Sequence, residues 1–306
     1  MQSSCIGSLM EIADQDKNVL YLTADSGEGG LDLMFRRNFS ERSFNFGIAE
    51  QNMVAAAAGL ASAGKIPFVY TAAPFLVYRS YEFIRNDVCL QNLPVKLIGT
   101  GSGISVSSLG PTHHTTEDIS VLRCLPNLML LSPATPKQAY ECVKKAYHHK
   151  GPVYIRLGMN KEKEFFEDNY RLPEDKTEVI RNGCDISVFV TGSILEEAVD
   201  AAEILEKKGV SVAVINVPFI KPFPGCDVIK YAKQYKMICS VEEHNVIGGL
   251  GSMIADALIE NGMYTRLLKI GLEDSFTAGY GKLHQIRKEN GLSSECIVQR
   301  ILEVFT

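Results

Sequence analysis

The chain has 306 residues, 46% of them hydrophobic and 22% charged, and its 31 Lys and Arg against 36 Asp and Glu leave a formal net charge of −5. This length predicts about two domains with a substantial core, while a negative balance without any long Lys/Arg run excludes a nucleic-acid or anionic-membrane surface. No apolar stretch reaches the ~20 residues that span a bilayer, and Met1-Gln2-Ser3-Ser4-Cys5 lacks the basic-then-apolar build of a secretory signal, so a cytoplasmic location is expected.

Along the chain, short apolar runs alternate with longer stretches of helical period, which predicts an α/β fold with a parallel sheet covered by helices. Strands are expected at 18–23, 67–71, 95–99, 128–131 and 152–156, with helices at 50–63, 80–91, 116–124 and 136–148. Residues 161–183 are charged and aperiodic and read as a linker, which gives a first domain over 1–160 and a second over 184–306. In the second, strands are expected at 186–190, 210–215, 236–241 and 267–270, and helices at 195–207, 226–235, 250–260 and 292–304. Eight cysteines are scattered singly with no CxxC pair, so free thiols packed as small hydrophobes are expected rather than disulfides or a metal site.

Three segments carry candidate chemistry. In Phe44-Asn45-Phe46-Gly47-Ile48-Ala49-Glu50-Gln51-Asn52 an aromatic, strand-like run ends at a glycine and an alanine-rich helix follows. Glu50 therefore stands at the handover from strand to helix, the edge at which open α/β sheets bind ligands. A glutamate there also serves as a simple partner of the helix dipole. In Pro74-Phe75-Leu76-Val77-Tyr78-Arg79-Ser80-Tyr81 the aromatics Phe75, Tyr78 and Tyr81 recur every third residue, so a helix would bring them toward one side, as a core stripe or as a pocket wall. Ser107-Ser108-Leu109-Gly110-Pro111-Thr112-His113-His114-Thr115 is a Gly/Pro turn presenting two histidines, with no third metal ligand in view. Farther on, Gly248-Gly249-Leu250-Gly251-Ser252 lacks the spacing of a dinucleotide fingerprint and reads as a tight strand-to-helix turn, with anion binding as the alternative.

Taken in order, Gly-Ile-Ala-Glu-Gln-Asn, then Pro-Phe with two spaced tyrosines, then Gly-Pro-Thr-His, resembles the pyrimidine-binding domain of the transketolase family, deoxyxylulose-phosphate synthases included. The resemblance runs on through Leu122-Arg123-Cys124-Leu125-Pro126-Asn127, Gly151-Pro152-Val153-Tyr154-Ile155-Arg156 and Val241-Glu242-Glu243-His244 to Ser252, nearly the whole chain. It implies two consecutive doubly wound, mostly parallel sheets: a pyrimidine-binding domain for thiamine diphosphate, then a transketolase C-terminal domain. Glu50 matches the family glutamate that hydrogen-bonds N1′ of the cofactor's aminopyrimidine. Phe75, Tyr78 and Tyr81 match the aromatics around that ring, and Asp25 matches an acidic residue near the cofactor. His113 matches the histidine that contacts the donor sugar's oxygen, while Arg123 and Arg156 are the cations available for a substrate phosphate.

Full-length relatives hold the diphosphate through Mg²⁺ (or Ca²⁺) with a Gly-Asp-Gly run, and this chain contains none. The resemblance therefore implies a separate partner subunit carrying the diphosphate-binding domain, a homodimer of this chain within a heterotetramer, and a two-carbon ketol transfer from a ketose to an aldehyde. Three departures fall on the sugar side: Leu109 replaces a usual aspartate, Gly101 a usual histidine, and Met159 lies close to the place of a usual arginine. The role of His114, where relatives carry glutamine, stays open. The alternatives are the beta subunit of a 2-oxo acid dehydrogenase-type decarboxylase and a non-catalytic assembly subunit of the same fold.

Overall fold

The computed structural model describes residues 1–25, 31–277 and 279–305, without the side chains of residues 31 and 32. The chain divides into two compact units, one of Met1–Ser102 with Val121–Leu172 and one of Gly103–Ser120 with Pro173–Thr306.

In the first unit the strands β1 (Val19–Thr23), β2 (Ser43–Asn45), β3 (Ile66–Ala72), β4 (Lys96–Thr100), β5 (Met129–Leu131) and β6 (Val153–Leu157) lie in the order β5-β6-β4-β3-β1-β2, every neighbouring pair parallel. β1, β4 and β6 are buried along their whole length, the burial expected of parallel strands covered on both faces, and this is why they show in the sequence as unbroken apolar runs. The helices are α1 (Gln2–Gln15), α2 (Leu31–Asn38), α3 (Glu50–Ser62), α4 (Tyr81–Phe83) and α6 (Pro136–His148), while α5 (Asp118–Leu122) crosses the boundary at 120/121. α6 begins where the sequence predicts. Thr135 caps it by accepting the Gln138 N–H at 3.2 Å, and Pro136 supplies a preset φ where no amide donor is needed.

In the second unit β7 (Glu178–Arg181), β8 (Ile186–Thr191), β9 (Val212–Asn216), β11 (Met237–Asn245) and β12 (Arg266–Leu272) form a sheet in the order β12-β11-β8-β9-β7. Only the β7–β9 pair is antiparallel. A short strand, β10 (Phe219–Lys221), lies outside this sheet. The helices are α7 (Leu195–Glu206), α8 (Gly225–Ala232), α9 (Leu250–Glu260), α10 (Leu283–Glu289) and α11 (Ser294–Phe305).

The charged stretch expected as a linker is divided between the units. Its first part is anchored by the charges that made it look solvated. Glu164 accepts the N–H groups of Lys137, Phe165 and Phe166, and Lys137 Nζ donates to the Phe166 carbonyl and to Asp168. Phe166 stacks on Tyr170 at 4.2 Å. Its second part supplies the edge strand β7. All eight cysteines are free. Cys5, Cys89, Cys142 and Cys239 are buried as small hydrophobes, whereas Cys124, Cys184 and Cys226 are exposed. Among the described residues no helix is long and apolar enough to cross a membrane.

Candidate active site

The carboxyl ends of β1 and β2 and the start of α3 are tied together by one side chain. Asn45 Oδ1 accepts the backbone N–H of Asp25 at 3.1 Å and of Gly47 at 2.9 Å, and the Phe46 N–H donates to the Thr23 carbonyl at 2.8 Å. Asp25 turns the chain at the end of β1 in a left-handed conformation, φ 51°. α3 then opens at Ala49 without a side-chain cap, and its first residue is Glu50, whose surface is only 2% exposed. A carboxyl this enclosed needs a partner, because an isolated buried charge is strongly unfavourable.

The partner comes from the end of β3. The chain runs into a wide π turn over Phe75–Arg79, which delivers Arg79 to Glu50: Arg79 Nη1 donates to Glu50 Oε2 as an ion pair. The same guanidinium lies over the Phe75 ring, 4.7 Å from its centroid. The sequence spacing expects an α-helical stripe here, but a π turn carries more residues per turn, so aromatics three apart do not stack on one line. Tyr78 is 39% exposed. Tyr81 points elsewhere: its hydroxyl donates to the Val121 carbonyl at 2.9 Å and lies 3.7 Å from Cys124 Sγ. Burial first, then the contact with Cys124, pushes that phenol up to about 12, so it stays protonated as a strut holding the end of α5.

Of the expected substrate cations, Arg123 is half-buried beyond α5, and Arg156 is 1% exposed on β6, in register with Gly99 of β4. Enclosure within the sheet removes Arg156 from contact with solvent. Gly101 holds φ 76°, a left-handed conformation that would strain a histidine side chain.

His113 and His114 belong to the second unit and divide their roles by burial. His113 ends the short turn Pro111–His113, its N–H bonded to the Gly110 carbonyl at 2.9 Å and its Nδ1 3.0 Å from Thr112 Oγ1. It is half-buried, whereas His114 is 4% exposed with Nδ1 hydrogen-bonded to Thr277 Oγ1. Burial, the largest influence, holds the His114 imidazole below its ordinary pKa, so it packs as a neutral ring. The loop carrying both is held by a bridge between Gly103 and Thr115 and by Glu243, which accepts the Ile104 N–H at 3.3 Å, the Ser193 hydroxyl at 3.1 Å and the Arg287 guanidinium at 3.1 Å. Among the described residues no group of three or more His, Cys, Asp and Glu could hold a metal ion.

The Gly248–Gly251 turn takes its anion from within. Glu242 on β11 accepts the Leu250 N–H at 2.6 Å and the Gly251 N–H at 2.8 Å, occupying the helix N-terminus that a bound anion would use. Three positions escape sequence reasoning: Asn45, Arg79 and Glu242. Arg79 lies inside a quoted motif, but its pairing with Glu50 depends on the π turn, for which no local sequence signal exists.

Residues 5–161 match the family model "Transketolase, pyrimidine binding domain" and residues 175–297 match "Transketolase, C-terminal domain". The chain is 38% identical over 283 residues to a protein of Actinobacillus succinogenes named as a subunit of apulose-4-phosphate transketolase, covering 92% of this chain and 91% of that protein. It is 32% identical over 304 residues to a 6-deoxy-6-sulfo-D-fructose transketolase subunit of a Clostridium species, covering 99% and 94%. A solved structure described as a split gene transketolase, inactive beta4 tetramer, superimposes with a TM-score of 0.90 at 33% identity over 99% of this chain and 97% of that one.

Proposed function

The chain belongs to the transketolase family, and on that premise we propose that it is the ring-binding subunit of a two-chain, thiamine-diphosphate-dependent transketolase. The observation that carries this reading is the enclosed Glu50 carboxylate at the carboxyl edge of a parallel sheet, joined to the face of Phe75 through one guanidinium. That donor set fits an aminopyrimidine, which needs a carboxyl for its ring nitrogen and an apolar face for its ring. When bound, the cofactor supplies the thiazolium carbon that takes the two-carbon unit from a ketose and yields it to an aldehyde.

The chain's own residues have narrower tasks. Glu50 shares a proton with N1′, Phe75 and Tyr78 orient the ring, and Tyr81 braces the wall behind them. Asp25 lies at the rim of the same edge. His113 donates a hydrogen bond to a substrate oxygen, and Arg123 is the accessible cation for a substrate anion. A partner subunit supplies the diphosphate site with Mg²⁺ or Ca²⁺, in a heterotetramer built around two copies of this chain. Support comes from the relatives of nearly equal length that are named as subunits, and from apolar surface beside Glu50: Ile48 is 76% exposed and Phe44 41%. The 2-oxo acid dehydrogenase alternative is not favoured, because both family models and the named relatives are transketolases. With Leu109, Gly101 and Met159 offering no charged contact, a substituted sugar is a better acceptor than an ordinary aldose phosphate.

The test is hydrogen–deuterium exchange at the cofactor's thiazolium carbon in the assembled complex. Glu50→Gln is expected to slow it by roughly 10²–10⁴-fold, the usual weight of a general acid–base contact. An unchanged rate takes Glu50 out of the reaction and favours a non-catalytic subunit.

A further inference from the structure

Arg79 presents to Glu50 and Phe75 the features an aminopyrimidine presents. A guanidinium is planar, carries N–H donors in its plane and stacks on aromatic faces. Here it donates to Glu50 Oε2 while its Cζ lies over the Phe75 ring, 4.7 Å from the centroid. The two contacts made by one flat group are those a cofactor ring would make at this edge. They cannot be made by two groups at once.

We propose that Arg79 occupies the pyrimidine's place before the cofactor arrives and must withdraw for the ring to bind, so that this residue sets the affinity for the cofactor ring. The inference rests on the cofactor reading of the Glu50 pocket. The two partners differ in freedom. The Glu50 side chain is 2% exposed and fixed at the first position of α3, whereas the Arg79 side chain is 35% exposed on a long flexible stem. Displacement therefore moves Arg79 outward and leaves Glu50 in position. The cofactor-free pocket needs this cation, because a buried carboxylate without one is costly. Once the ring nitrogen shares a proton with Glu50, the arginine is dispensable. Removing it destabilises the cofactor-free state and not the filled one, and the ring then binds more tightly.

The full chain is titrated with 4-amino-5-hydroxymethyl-2-methylpyrimidine by ligand-observed NMR. Arg79→Gln is expected to bind this ring about tenfold more tightly than the wild type, the gain from no longer breaking one partly buried ion pair. Arg79→Lys keeps the charge on Glu50 without the flat stacking surface, and gains part of that factor in a pocket that stays folded. In Arg79→Ala, guanidinium chloride competes with the ring, which a structural loss alone would not produce. Glu50→Gln abolishes ring binding in every background. Equal or weaker ring binding by Arg79→Gln and Arg79→Lys, still dependent on Glu50, overturns the role of Arg79 and leaves the cofactor reading standing. Ring binding indifferent to Glu50→Gln, or none in any variant, overturns the cofactor reading and the inference with it.

Discussion

Lys96, the first residue of β4, has no exposed surface, and its Nζ donates to the carbonyls of His149 at 2.6 Å and Gly151 at 2.7 Å. Burial brings its pKa down to about 7. A neutral amine still has two N–H groups for those two carbonyls, so the bonds survive loss of the charge. The unfolded chain keeps this proton up to about pH 10.4. Between the two values the unfolded state binds more protons than the folded one, and stability rises with pH. The urea midpoint of the wild type is expected to climb between pH about 7 and about 9 relative to that of Lys96→Met. Lys96→Met itself takes this donor from the buried Gly151 carbonyl and the part-buried His149 carbonyl, at about 1–3 kcal/mol, and removes the rise. A parallel pH slope in both proteins would show that Lys96 keeps its charge in the fold. Residue by residue, what the sequence discloses is identity without partnership. Glu50 is legible as a site candidate because a strand-to-helix handover is a local pattern, whereas Arg79, 29 residues away, becomes its partner only through the π turn.

The start of α9 shows how an element carries its own constraint. Leu250 and Gly251 would leave their amides unsatisfied at the helix N-terminus, and Glu242 from the neighbouring strand takes both. For the carboxylate to come this near, residue 249 must lack a side chain: a Cβ there would stand 1.9 Å from Glu242 Oε2 and 2.7 Å from His244 Nδ1. Gly249→Ala should therefore force the carboxylate off the helix and cost about 1–3 kcal/mol in chemical denaturation, as overpacking does. A variant of unchanged midpoint would mean the turn relaxes freely and the cap matters little. The Gly-rich run is a strand-to-helix turn, as its spacing predicts, but the acid filling it lies eight residues upstream, beyond any local motif. The same limit applies to whole elements. Buried parallel strands and α6 with its Thr-Pro start are legible from apolar runs and capping. α1 is hidden because Gly7 and Ser8 interrupt its buried stripe of Cys5, Ile6, Leu9 and Ile12. β7 is hidden because an edge strand in a charged segment has no apolar run, only pairing to β9.

At the scale of the whole molecule, the residues proposed to hold a cofactor ring have no counterpart among the described residues suited to a metal-bound diphosphate. The described residues hold no cluster of His, Cys, Asp and Glu suited to a metal ion, and in the second unit the amides at the starts of α9 and α11 are already taken by Glu242 and Glu197. The relatives that this chain nearly spans are named as subunits, in keeping with the proposal that another polypeptide carries the diphosphate site. Ring contacts alone contribute little: stacking adds ~0.5–1.5 kcal/mol beyond buried area, and one hydrogen bond to a charged group about 1.5–3 kcal/mol. Part of that is spent on displacing Arg79. The isolated chain is therefore expected to bind thiamine diphosphate no tighter than roughly millimolar, the range set by about 4 kcal/mol. Its affinity should be the same with Mg²⁺ as with a chelator, because the described residues include no cluster suited to the metal. Calorimetric titration of the lone chain, then of the chain mixed with a subunit that carries the diphosphate-binding domain, separates the two contributions. Metal-dependent tightening should appear only in the mixture, together with ketol transfer. Tight binding by the lone chain that collapses when Mg²⁺ is chelated would place the diphosphate site on this polypeptide and end the two-chain assignment.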